Sequence, residues 1–173
     1  ALQAQAFTPS PSQPIEEDQV FVLRLNGEAT AESLQANVWC QVDGLGERVP
    51  IRVLTGEPRP AVLKALHMQA EADKAPGRYV ALACNRRLTP ASRVQLVYGK
   101  GVATPSGIVN RVEKRFAFQV REPFTASMSC ERENAQAACM PFSPITLKFS
   151  APVPRRLAAE ARLRSDKAEY RPV

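Results

Sequence analysis

Histidine and tryptophan each occur once, at His67 and Trp39, and the chain holds eight glycines against fifteen prolines. A single imidazole gives little with which to build a histidine metal cluster or an acid–base pair. The four cysteines, Cys40, Cys84, Cys130 and Cys139, include no C-x-x-C pair, so zinc spacing is missing too. No metal or other cofactor is expected. No run of about twenty apolar residues occurs, so direct membrane insertion is not expected. The first residues lack a basic stretch followed by an apolar run and do not read as a secretory leader. No nucleophile elbow, P-loop, metal-binding helix motif or Gly-rich nucleotide turn is present. No catalytic residue is therefore assigned, and the chain is not expected to be an enzyme.

The net charge is +6 and the pI near 9.5. The basic residues are scattered. Their densest spots, Arg86–Arg87, Arg155–Arg156 and Arg162 with Arg164, form no stripe interleaved with aromatics, so they read as solvated surface and no nucleic-acid partner is expected.

With 173 residues, 45% of them apolar and 23% charged, the chain is long enough to bury one full core and begin another. The prolines cut it into short elements. Phe7 to Pro14 reads as an extended linker. Alternation then begins: Phe21, Leu23 and Leu25 share one face of a strand, with Val20, Val22 and Arg24 on the other. Asn26-Gly27 turns the chain, and Thr30 caps a helical turn to Leu34. Val38, Cys40 and Val42 define a half-buried strand over 37–43, joined through Gly44-Leu45-Gly46 to a second over 49–54, a hairpin. The segment 58–68 reads equally as short helix or strand. Further strands fall at 78–84, 94–98 and 116–120. Short strands separated by turns predict an all-β fold of tandem antiparallel, immunoglobulin-like β-sandwich modules.

After Glu122-Pro123 the pattern restarts with Ala126, Met128 and Cys130, then Ile145, Leu147 and Phe149, and a helical turn within 152–161. A weak internal repeat links the two parts: in each, a proline-bearing segment leads to a strand and then one helical turn, ending at Leu34 and holding Leu157. The expected organisation is a linker over 1–14, a sandwich over 15–122, and the start of a second sandwich over 123–173. That second module is short of strands, so the natural chain is expected to continue beyond Val173, or the module to be completed by strand exchange.

An even cysteine count without metal spacing favours disulfides and an oxidising compartment. Cys130 and Cys139 flank a mostly polar loop, whose closure contributes roughly 2.5–3 kcal/mol in the chain-entropy account. Cys40 and Cys84 both face the apolar side of their strands, and a bridge there contributes on the order of 4 kcal/mol by the same account. The alternative at each pair is two buried thiols. Four other features bear on chemistry or binding. His67 reads as surface or packed rather than catalytic. Glu16-Glu17-Asp18 reads as solvated chain rather than a calcium site. Gly99-Lys100-Gly101 reads as a hairpin turn rather than a phosphate cradle. Trp39, on the polar face of its strand, is either an interface anchor or covered on both sides.

Several blocks carry a family resemblance: Ile-Glu-Glu-Asp-Gln-Val-Phe-Val-Leu-Arg-Leu-Asn-Gly (15–27), Trp-Cys-Gln-Val-Asp-Gly-Leu-Gly-Glu-Arg-Val-Pro-Ile-Arg-Val-Leu (39–54), Leu-Val-Tyr-Gly-Lys-Gly-Val-Ala-Thr-Pro-Ser-Gly (96–107), Phe-Gln-Val-Arg-Glu-Pro-Phe-Thr-Ala (118–126), Ser-Cys-Glu-Arg-Glu-Asn (129–134) and Phe-Ser-Ala-Pro-Val-Pro-Arg (149–155). In combination and order they resemble the N-terminal region of large bacterial alpha-2-macroglobulin-like proteins. The resemblance implies a periplasmic or cell-envelope protein, often lipid-anchored through its parent chain, that traps proteases after they cut a bait segment. In many members a thioester then captures the protease. The thioester motif Cys-x-Glu-Gln is missing here; Cys130-Glu131-Arg132-Glu133 is the nearest and fails. What carries over is a scaffold role. The implied partners are proteases trapped by the full-length protein, neighbouring domains of the same chain and another periplasmic protein. The competing expectation is an immunoglobulin-like cell-envelope or carbohydrate-binding module presenting Trp39.

Overall fold

The computed structural model describes residues 1–166 and 168–172; Lys167 and Val173, the end of the expected second module, lie outside the described residues. The chain divides into two compact units, Ala1–Glu122 and Pro123–Val173.

The first unit is all-β at its centre. Its strands are β1 (Ala4–Thr8), β2 (Val20–Leu25), β3 (Val38–Val42), β4 (Arg48–Val53), β5 (Tyr79–Cys84), β6 (Arg93–Tyr98) and β7 (Lys114–Gln119). They follow the order β1-β2-β5-β4-β3-β6-β7, every neighbouring pair antiparallel. Lettered A to G in chain order, this is A-B-E-D joined to C-F-G, the strand order of an immunoglobulin-like sandwich. β4 belongs to both halves. Its residues 48–50 pair with β3, and its residues 51–53 pair with β5. The change of partner falls at Pro50, which has no N–H to give to a ladder and so marks a natural place to leave one.

Alternation explains which side chains form the core. Phe21, Leu23 and Leu25 of β2 meet Val80 and Leu82 of β5, and Val94, Leu96 and Tyr98 of β6, all buried in one cluster. Each fully buried aliphatic or aromatic side chain there contributes about 1.5–3 kcal/mol. The opposite face of β2 and β5 is buried as well. There α2 (Pro58–Ala65) and α3 (Gln69–Lys74) place Leu63 and Ala72 over Val22, Tyr79, Ala81 and Ala83. The ambiguous segment 58–68 is thus mainly helical. Pro58 sits at the start of α2, where its missing N–H leaves no bond unmade. Small Ala81 and Ala83 let the helix approach the sheet. At the other turn, α1 (Ala31–Asn37) is capped by Thr30, whose side chain accepts from the Ser33 N–H at 3.2 Å.

The expected linker over 1–14 needs correction at its start. Residues 4–8 are a strand of the sandwich, paired with β2, and Leu2 and Ala4 are buried. A bulge between Ala4 and Ala6 shifts the side-chain parity. Leu2, Ala4 and Phe7 therefore all turn to the core, although strict alternation would separate Phe7 from the other two. Phe7 lies 4.0 Å from Phe116 between ring centroids and makes an edge contact with Phe118. The Lys114 ammonium donates to the Ala4 carbonyl at 2.9 Å, and an isolated bridge joins Ile15 to Val120, so single contacts and not a ladder link the two ends of the sheet.

The second unit contains β8 (Ala126–Ser129) paired antiparallel with β9 (Thr146–Phe149), then α4 (Arg155–Ala158), and a small pair β10 (Leu163–Arg164) with β11 (Glu169–Tyr170). Its course of strand, strand and helical turn follows the β1-β2-α1 course of the first unit.

Candidate functional site

Trp39 carries two expectations, an interface anchor or a ring covered on both sides of its strand. It lies on the outer face of the β3-β6-β7 half and is only 9% exposed. The Arg48 guanidinium covers its ring, 3.9 Å from the centroid. Val97, its partner across the β3–β6 ladder, is fully buried beside it. Gly99 closes the far side: a Cβ there would stand 2.7 Å from Trp39 Cζ3 and 2.5 Å from the Asn37 carbonyl oxygen. The indole Nε1 is buried without a hydrogen-bond partner among the described residues. The ring is therefore covered, because Arg48, Val97 and Gly99 meet over the polar face of β3. In this arrangement it offers no stacking platform for a sugar. The rest of that face is a polar ladder. Arg115 Nη1 donates to Gln41 Oε1 at 3.1 Å and to Gln95 Oε1 at 3.0 Å, and its Nε donates to Glu113 at 2.8 Å. Since Trp39 is the sole tryptophan, emission reports this site alone. Arg48→Ala is expected to red-shift the emission and raise its quenching by acrylamide, at a stability loss of about 0.5–1 kcal/mol. Unchanged emission would show that Arg48 does not shield the ring.

The cysteines pair as Cys40–Cys84 and Cys130–Cys139, with Cα separations of 5.9 and 5.6 Å. Cys40 stands opposite Val49 and Cys84 opposite Ile51, on the two sides of β4. The first bridge thus ties the two halves of the sandwich across the strand they share. The second closes the polar loop beside β8. Both bridges fit an oxidising location outside the cytoplasm, and no helix among the described residues is long and apolar enough to cross a membrane.

The remaining candidates are placed apart from one another. His67 is exposed at the C-terminal end of α2, with a φ of 56° and its N–H donating to the Lys64 carbonyl at 3.1 Å. It terminates the helix in the left-handed conformation. Glu16 pairs with Arg121 at 2.9 Å and Glu17 with Arg87, so two of the three consecutive carboxylates engage arginines instead of converging on a cation. Gly101, with a φ of 99°, fits against the Asn37 side chain, where a Cβ would stand 2.6 Å from Oδ1. Gly99 and Gly101 thus serve close approach to Asn37 and Trp39. Arg162 and Arg164 both reach Glu169, at 3.6 and 2.9 Å.

Sequence reasoning passed over Asn110, the buried polar residue of this unit. Its Nδ2 donates to the carbonyls of Gly99 at 2.8 Å and Val112 at 2.7 Å, and its Oδ1 accepts from the Val112 N–H at 3.2 Å. It ties the 99–112 connection together from inside, and a lone Asn in a loop gave no sign of it. Tyr98 is likewise buried, and burial pushes its hydroxyl up to about 12 from an ordinary value of 10. Tyr79 shifts upward too, first by burial and then by its hydrogen bond to Glu71, with Arg24 opposing. For a group whose folded-state value is raised, stability is full below the unfolded value and is lost as pH climbs to the folded one. The Tyr98 contribution is therefore expected to be lost between pH 10 and 12, by about 2–3 kcal/mol. Urea unfolding of Tyr98→Phe should show a shallower alkaline loss than the unaltered chain. Equal slopes would assign the loss to other groups.

The two larger of the concave regions described are these. In the first unit, a cleft of about 320 Å³ is lined by Glu17, Asp18, Arg52, Asn85, Arg86 and Arg87, mixed in charge and open. In the second, an apolar groove of about 620 Å³ is lined by Met128, Ile145, Leu147, Phe149, Ala158 and Leu163, with Arg162 and Arg171 also at its wall. Among the described residues, eight of the eleven large exposed apolar side chains lie after Pro123. Four of those eight, Met128, Ile145, Leu147 and Tyr170, line this groove.

No family model matches the sequence, and no curated protein matches it. Among solved structures, the chain is similar to the N-terminal part of the bacterial S-layer protein SbsC, at 8% identity and a TM-score of 0.40, over 79% of this chain and 36% of that one. The chain thus spans little more than a third of that structure, and a likeness at this level carries no argument about function.

Proposed function

We propose that this chain is a structural and interaction segment of a bacterial alpha-2-macroglobulin-like protease inhibitor of the cell envelope, with no catalysis of its own. The observation that carries the reading is the ordered set of sequence blocks from Ile15 to Arg155 that resembles that family. A disulfide-tied sandwich followed by a second β unit that repeats its opening course supports it. In this reading the two units space and orient the trapping domains of a larger parent, in the periplasm and held by a lipid anchor elsewhere in that parent. The partners are the trapped proteases, the neighbouring domains and another periplasmic protein.

The test is a trap assay on the parent protein. A trapped protease keeps its activity on a small chromogenic peptide and loses it on a large protein substrate. Residues 1–173 alone should protect neither substrate. Loss of both activities with the parent, or full activity on both, would exclude a bait-and-trap inhibitor.

A further inference from the structure

The outer face of β3, β6, β7 and the start of β4 carries guanidinium groups that the fold holds in place. The register sets its side chains in two cross-strand rows, Arg48–Gln41–Gln95 and Trp39–Val97–Arg115. Arg48 stacks on Trp39 and, among the described residues, makes no ion pair. Stacking uses the flat face of a guanidinium and leaves its edge N–H groups for an acceptor. Arg115 reaches from β7 to Gln95 and Gln41 through Nη1 and to Glu113 through Nε, and its Nη2 has no partner among the described residues. Gln41 stands directly opposite Arg48 on the β3–β4 ladder, so the two guanidiniums flank one glutamine. Arg93, exposed and two residues before Gln95 on β6, lies on the same face. No Asp, Glu or Lys takes an outward position on these strands. Glu113, just before β7, is the carboxylate at hand, and it occupies only Arg115 Nε. The face is left net positive.

We propose that this face docks an acidic segment of a partner protein, with Arg48 and Arg115 each taking a carboxylate through its unpaired N–H edge. The fork of a guanidinium matches a carboxylate. The contacts that already fix both side chains reduce the ordering cost of an interface. Because Arg48 covers Trp39, no base can stack on the ring, which favours a peptide over a single-stranded nucleic acid. This inference does not depend on the protease reading.

Anisotropy of a labelled oligoglutamate peptide, titrated with residues 1–173 at low salt, tests it. The peptide should bind. Arg48→Gln with Arg115→Gln should weaken binding by about tenfold or more. Arg155→Gln with Arg156→Gln, the same charge change in the second unit, should alter it by less than about twofold. Arg48→Lys with Arg115→Lys keeps the charge, loses the fork and should weaken binding nearly as much as the first pair. In the unaltered chain, where folding is not in question, the peptide should shield Arg48 and Arg115 from phenylglyoxal and leave Arg155 and Arg156 reactive. No binding, equal losses from the two glutamine pairs, full binding by the lysine pair or unshielded Arg48 and Arg115 would each overturn the proposal. Tighter binding of an oligodeoxynucleotide of equal charge would overturn it too, and would make the face a nucleic-acid site.

Discussion

Deleting residues 1–14 is expected to destabilise the first unit severely, although the sequence reads that stretch as a linker. The deletion removes β1, the buried Leu2 and Ala4, and the Phe7 ring that packs on Phe116 and Phe118. It also strips the outer edge of β2, leaving an unpaired strand that invites association. From the apolar surface alone the loss is roughly 4–5 kcal/mol, a large share of the 5–15 kcal/mol typical of a domain. Urea unfolding of 1–173 and 15–173, followed through Trp39, measures it. A midpoint that does not move would mean that the pairing of β1 with β2 adds nothing, and that the domain begins at Ile15 after all.

Removing the Cys40–Cys84 bridge should rank next. Its ends are 44 residues apart in sequence, and the closed loop contributes on the order of 4 kcal/mol in the chain-entropy account. It also joins the sandwich halves where β4 passes from β3 to β5, so its loss is expected to loosen both. Cys40→Ala with Cys84→Ala should lower the unfolding free energy by about 3–4 kcal/mol. The matching change at Cys130 and Cys139, which are 9 residues apart, should take about 2.5 kcal/mol from the second unit only. Reporting through Trp39, the first double variant should shift the transition and the second should leave it in place. Equal shifts from both would contradict the assignment of each bridge to its own unit.

Much of the fold is legible because side-chain parity in a strand is strict. Phe21, Leu23 and Leu25, or Val94, Leu96 and Tyr98, announce their inward face, and the same parity turned Cys40 and Cys84 toward each other. Thr30 was legible because a cap needs only its own side chain and the amide three residues on. Parity is also why β1 was missed: its bulge moves Phe7 onto the face of Leu2 and Ala4, and its alanines carry little hydrophobic signal. The segment from Pro58 was ambiguous because α2 is 8 residues long, too short for a helical period to stand out. At Trp39, alternation gave the face correctly but not what covers it. The outward Val97, an aliphatic residue at a solvent-facing position of β6, was the signal that this face carries a second small apolar patch.

The account rests on a sandwich built for an oxidising envelope, and the thiol count of the protein as its host makes it tests that most directly. Intact mass before and after alkylation, with and without reductant, is the measurement. The account predicts no alkylatable thiol without reductant and four with it, and peptide mapping that gives Cys40–Cys84 and Cys130–Cys139. Four free thiols in protein taken directly from the host would contradict it, placing the chain in a reducing compartment and removing the ground for an envelope role.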